Sequence, residues 1–241
     1  MARSCRIFLL AMLALLVGAG CDASVDPIQV AAGCPGRPLR GPIAYANEPR
    51  NQLIGDFETN TDALANVDGR NGLWVLGADG SSGDLHAEPS DQCAARGSYA
   101  GHFIGQGFTR WGANWTAVFE QPSGGTAVPY DAGKYSGISF WAAFGGQDGP
   151  DFTLSLGVTT MDNAWNGHIC QQAQQACMDY YRTRVPLTHD WTRFLVQFAN
   201  MAQDGSGFPL LPMRKDQMVG FIIWPTQPQF DIWIDDVRFE P

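Results

Sequence analysis

The sequence predicts an all-β sandwich, and three observations predict it. From residue 53 onward, glycine-rich turns separate short runs dense in Val, Ile, Phe, Trp and Thr. Several runs alternate apolar and polar side chains with period two, the pattern of a half-buried strand. No amphipathic helical pattern lasts beyond a turn or two. In 152–159, Phe152, Leu154, Leu156 and Val158 fall on one face, with Thr153 and Ser155 on the other. In 135–144 the shared face holds Ile138, Phe140, Ala142 and Phe144, and in 191–198 it holds Phe194, Val196 and Phe198. Runs 53–58, 73–77, 99–105, 115–120, 179–185, 218–224 and 230–239 complete a set of about ten strands, enough for two packed sheets.

The N-terminus belongs to targeting rather than to the fold. Arg3 and Arg6 precede an apolar stretch, 7–17, that ends in Gly18, Ala19 and Gly20, which reads as a secretory signal peptide over 1–20. The stretch is shorter than the roughly 20 residues of a membrane span. Cys21 follows directly, and the junction resembles the lipobox of bacterial lipoproteins, although Gly18 stands where that motif usually has Leu. The resemblance implies lipidation at Cys21, export, and anchoring in the bacterial cell envelope, with the membrane reached through the N-terminal lipid alone. Residues 21–51, rich in Pro, Gly and Ala without periodicity, read as a flexible tether, and 52–241 as the folded domain.

Cleavage before Cys21 leaves 13 basic against 24 acidic side chains, a net charge of −11. That balance argues against nucleic acid, whose binding rests on Lys and Arg, and is compatible with neutral sugars and divalent cations. Beyond Cys5 and Cys21 four cysteines remain, an even number in an oxidising compartment. Cys170 and Cys177 bracket a short polar loop and are the expected pair, leaving Cys34 to tie the N-terminal segment to Cys93. The spacing matches no zinc pattern.

The last run, FDIWIDDVRF, breaks its own alternation: Phe230, Ile232 and Ile234 share one parity, Val237 and Phe239 the other. A β-bulge at Asp235 and Asp236 would repair the phase and re-aim one carboxylate. The first run carries a second acidic pair, Asp56 and Glu58, on one side of the strand. The opening DFE, the closing IDDVRF and the strand-rich span between them resemble carbohydrate-binding modules of the galactose-binding-like jelly-roll group, family 11 modules in particular, over most of the mature chain. The resemblance implies a jelly roll with a structural calcium ion held by Glu58 and Asp235, and more weakly by Asp56.

It also implies polysaccharide or oligosaccharide binding on aromatic faces, since the C–H face of a sugar packs on a π system. Among eight tryptophans, Trp111 in TRWGANW and Trp224 at the end of VGFIIW match binding aromatics of family 11. Tyr180 and Tyr181 in MDYYRTRV do so as well, with Asp179 and Arg182 placed to hydrogen-bond hydroxyls. Trp141 and Trp191 read as core. The stretches 170–177 and 203–215 depart from the family's pattern. Catalysis is not expected: there is no HExxH and no GxSxG, and the histidines 86, 102, 168 and 189 are scattered. No acidic pair is marked out for glycoside hydrolysis. The sequence leaves open an envelope lipoprotein that binds or scaffolds proteins on the same sandwich, and an accessory unit of a glycan-active enzyme.

Overall fold

The computed structural model describes residues 26–31, 48–121, 127–145, 151–158, 179–205 and 213–241. Its strands are β1 (Asp26–Ala31), β2 (Leu53–Gly55), β3 (Leu73–Ala78), β4 (Asp84–Ser90), β5 (Ala100–Gln106) and β6 (Ala113–Val118). They continue as β7 (Gly137–Phe144), β8 (Asp151–Val158), β9 (Tyr181–Pro186), β10 (Trp191–Gln197), β11 (Met218–Pro225) and β12 (Phe230–Glu240). The helical segments among the described residues are short 3₁₀ turns.

The strands form two antiparallel sheets. One runs β1-β10-β7-β12-β5-β4 with β2 joined to β12, and the other β3-β6-β11-β8-β9. Consecutive strands repeatedly fall in opposite sheets, so the chain wraps a single apolar interior. That interior is aromatic: Trp74, Trp115, Phe57, Phe103, Phe119, Phe140, Phe194, Phe221 and Phe239 are all buried there. Trp74 lies 4.5 Å from Trp115 and meets Phe221 edge-on at 5.4 Å, the geometry aromatic quadrupoles favour.

The bulge in the last strand is where the broken alternation places it. Asp235 pairs with Trp141 and Arg238 with Ser139, so β12 carries one residue more than β7 across that step. Asp236 takes φ of 46°, a left-handed conformation that Asp tolerates better than most residues. Ile232, Ile234, Val237 and Phe239 consequently all reach the core.

Two strands differ from the sequence reading. β4, DLHAEPS, turns Leu85 and Ala87 toward the core. β1 lies within the expected tether and adds an edge to the larger sheet by pairing with β10.

Candidate functional site

Alternation in β6 and β11 decides which side chains the smaller sheet shows to solvent. Trp115, Phe221 and Ile223 point inward, so Asn114, Thr116 and Trp224 belong to the outer face, on which Ile222 is covered, at 8% exposure. Thr116 donates to Asn114 Oδ1 at 3.3 Å, and Asn114 lies over Gly77, where a Cβ would meet Oδ1 at 2.7 Å. Register extends the face sideways. Ile222 pairs with Thr116 on one side and Ser155 on the other, and Ser155 pairs with Arg182. Trp224 pairs with Thr153, and Thr153 with Arg184.

At one end of this face two indoles meet. Trp111, in the turn between β5 and β6, lies 5.3 Å from Trp224 at 72°, and Trp224 Nε1 donates to the Trp111 carbonyl at 3.0 Å. Trp111 is 45% exposed and Trp224 half-buried, so the pair presents two apolar ring surfaces to solvent in a fixed corner.

Asp79 fixes the turn that carries Trp111. Its Oδ2 accepts the backbone N–H of Arg110 and of Gly112, both at 2.9 Å. Its Oδ1 accepts the Ser81 N–H at 2.8 Å and the Ser81 hydroxyl. The Asp79 N–H in turn donates to the Gly112 carbonyl at 2.9 Å. Burial alone would raise this carboxyl, but these hydrogen bonds outweigh it and hold the pKa at about 2. Asp79 was not singled out from sequence: Asp-Gly-Ser signals an Asx turn, but the partners near residue 111 are distant in the chain.

The structure brings Trp111 and Trp224 together and separates them from the tyrosines. Tyr180 and Tyr181 are 5% and 4% exposed and pack in the core. In β9 the inward parity is Tyr181, Thr183 and Val185, and Tyr180, just before the strand, is buried as well although its parity is that of Arg182, so neither ring is presented to solvent. The expectation that they form part of a binding platform is corrected accordingly. Asp179 is also buried, its carboxylate accepting the N–H groups of Asp204 and Gly205 at 3.1 Å each. It therefore anchors a loop. Arg182 bridges Asp179 at 3.3 Å and Asp204 at 3.1 Å with its head half exposed beside the outer face. Trp141 and Trp191 are buried, but against the outer side of the larger sheet with Trp233 and Cys93.

The residues expected to hold calcium converge on the turn at 95–99. Asp235 accepts the Arg96 N–H at 2.8 Å and the Asp236 N–H at 2.6 Å. Glu58 Oε1 accepts the N–H of Ser98 at 2.8 Å and of Tyr99 at 2.9 Å. Asp56 instead accepts the Glu58 N–H at 3.3 Å. Asp235 is fully buried, and burial pushes its carboxyl well above the usual range, with repulsion from Asp236 and Glu58 added. Arg96 and Arg238 neutralise its neighbour Asp236, at 2.7 and 2.8 Å, and both also meet Glu48. Among the described residues no cluster of three or more His, Cys, Asp or Glu side chains is arranged to hold a metal. A buried carboxylate beside Glu58, without a cationic partner of its own among the described side chains, is nonetheless an arrangement that a hard cation relieves.

Cys93 is disulfide-bonded, and Trp191 Nε1 donates to its sulfur at 3.2 Å. Cys21, Cys34, Cys170 and Cys177 lie outside the described residues.

An all-β, two-sheet antiparallel sandwich of this topology is the jelly roll on which carbohydrate-binding modules are built. The chain is similar to the family 11 carbohydrate-binding module from Clostridium thermocellum solved in complex with a β-1,3-1,4-mixed-linked tetrasaccharide: 12% identity, TM-score 0.52, covering 78% of this chain and 94% of that one. A solution structure of a family 11 module matches with 12% identity and a TM-score of 0.50 over the same shares of the two chains. A family 30 module of a cellulosomal cellulase from Clostridium thermocellum is matched at 11% identity and 0.49, over 78% of this chain and 95% of that one. No family model and no curated protein matches the chain. At this identity the likeness shows the fold.

Proposed function

We propose that the chain is a non-catalytic glycan-binding module, exported and held at the cell envelope by a lipid on Cys21, in which Trp111 and Trp224 take the sugar. The observation that carries this is the indole pair: two tryptophans far apart in sequence meet at 5.3 Å with ring surface left in solvent, at one end of a sheet face lined by Asn114 and Thr116. Paired ring faces of this kind are surfaces on which the C–H face of a sugar can pack. Hydroxyl and amide groups beside them supply the hydrogen bonds that orient a sugar. Arg182, at the far side of the same face, is the further polar contact.

Mixed-linked β-1,3-1,4-glucan is the first ligand to test, because a module of the same fold is described with that tetrasaccharide. A structural calcium ion would be held by Glu58 and Asp235, with Asp56 outside its immediate reach. The Cys93 disulfide would be closed by Cys34, and Cys170 would pair with Cys177.

The test is a screen of the full chain carrying Cys21→Ser, which removes the lipid acceptor, on arrayed glycans and soluble polysaccharides. Trp111→Ala and Trp224→Ala run beside it. Each variant is expected to weaken binding at least about tenfold, roughly 1.4 kcal/mol. Binding that survives both changes would refute the platform, and no binding to any glycan would move the assignment to a protein partner.

A further inference from the structure

A surface cavity that the indole pair does not line lies beside the turn that carries Trp111: Ser82 on its rim follows Ser81, whose hydroxyl accepts the Thr109 N–H at 3.3 Å. Asp84 and Gln106 pair in register at the ends of β4 and β5. Leu85 and Phe103 face the core, so alternation puts both polar side chains on the outer face of the larger sheet. With Ser82, Gly107, Pro228 and Gln229 they line a cavity of about 360 Å³, toward the lower end of small-ligand sites.

Two glycines allow close packing of the chain at this corner. Gly107 has φ of 78°, and a Cβ there would sit 3.6 Å from the Gly83 Cα. A Cβ on Gly83 would come within 2.6 Å of Phe108 and 2.8 Å of the Gln106 carbonyl. Any larger residue at 83 would therefore push into the core ring of Phe108 and the backbone at Gln106.

The lining has one chemical character. Two carboxamides, one hydroxyl and one carboxylate offer donors and acceptors side by side, with the ring of Pro228 as an apolar wall. Hydroxyl groups, which donate and accept at once, complement that set. Asp84 is the sole charge in the lining, which disfavours anions, and a lone carboxylate falls short of the ligand count a calcium ion takes.

We propose that this cavity is a second ligand site that takes a neutral, hydroxyl-rich group, a single sugar residue at a chain end or on a branch. It lies on the outer face of one sheet and the indole pair on the outer face of the other. Gly107 of the cavity and Trp111 nevertheless share the loop between β5 and β6, so a glycan stacked on the indoles can reach the cavity with a further residue or a branch, and the two sites bind such a glycan in concert.

The probe is a panel of free glucose, galactose, mannose, xylose and N-acetylglucosamine, titrated into the ¹⁵N-labelled full chain with Cys21→Ser and followed by amide shifts. Shifts at Ser82, Gly83, Gly107 and Gln229 are expected for at least one sugar. They should persist in Trp224→Ala and vanish in the double variant Asp84→Ala/Gln229→Ala, whose spectrum elsewhere reports that it is folded. Shifts confined to the surroundings of Trp111 and Trp224 would overturn the second site and leave the first standing. Absence of shifts at the cavity with every sugar, while the array screen finds a ligand, would overturn it as well. Cavity shifts in a chain that fails the array screen would support the site and sink the indole platform.

Discussion

One carboxylate, Asp79, gathers the turn that presents Trp111, and its four accepted hydrogen bonds also make it a strong acid, with a pKa of about 2. Asp68 is held at about 2 as well. Burial works against that, but Tyr130, Lys134 and Tyr135 donate to it at 2.5, 2.9 and 2.9 Å, and behind it the buried Arg70 donates to Tyr130 and to the Leu53 carbonyl. Both carboxyls bind protons more weakly folded than unfolded. The stability they confer is therefore complete above the ordinary value of 3.8 and is lost as pH falls through about 2. A melting-temperature profile over that acid range should be steeper for the native chain than for Asp68→Asn/Asp79→Ala, and superimposable slopes would show that these groups carry no linkage. At neutral pH, Asp79→Ala alone should weaken glycan binding about as much as Trp111→Ala does, although neither indole is altered. An unchanged affinity would mean that the turn holds its shape without the carboxylate.

At the scale of single strands, legibility followed side-chain chemistry. β12 could be read to the residue because a bulge shifts the parity of Val237 and Phe239 against that of Phe230, Ile232 and Ile234, and the resulting phase break is visible in FDIWIDDVRF. β4 was missed because DLHAEPS packs only Leu85 and Ala87 partly against the core and carries Pro89 next to its last residue, a composition that reads as loop although its alternation is correct. Tyr181 was misjudged for the opposite reason, since aromatic identity outweighed a parity that groups it with Val185, whereas Tyr180 shares the parity of Arg182 and Arg184 and its burial has no local signal in sequence. The β12 bulge also has a consequence for the acidic corner. It leaves Asp235 buried against the turn at 95–99 while Asp236 turns to Arg96 and Arg238, so a bound calcium ion would join the last strand to that turn and to Glu58. Adding excess chelator should lower the melting temperature, and Asp235→Asn should abolish the difference between calcium and chelator. Identical melts with calcium and with chelator would remove the metal from the assignment.

At the scale of the whole molecule, the two-sheet plan was legible because period-two alternation reports one buried face for each strand. The packing on the far side of the larger sheet was not, because nothing local in sequence says that Trp141, Trp191 and Trp233 form a second apolar layer around Cys93. That layer, with β1, bears directly on the disulfide. β1 runs antiparallel to β10 and ends with Ala31 opposite Trp191, the residue whose indole N–H reaches the Cys93 sulfur. Cys34 follows three residues later in the sequence, and three residues span at most about 11 Å, which is the ground for proposing Cys34 as the partner of Cys93. Cys170 and Cys177, seven positions apart in the sequence, are then the remaining proposed pair. Peptide mapping without reduction should recover the Cys34 and Cys93 peptides joined and the Cys170 and Cys177 peptides joined. A Cys34→Ser/Cys93→Ser variant should lose about 2–5 kcal/mol of stability, the usual cost of opening a long loop. A crosslink from Cys93 to Cys170 or Cys177 would instead place the 159–178 segment over the tryptophan layer, and the N-terminal strand would then be held by its ladder with β10 alone.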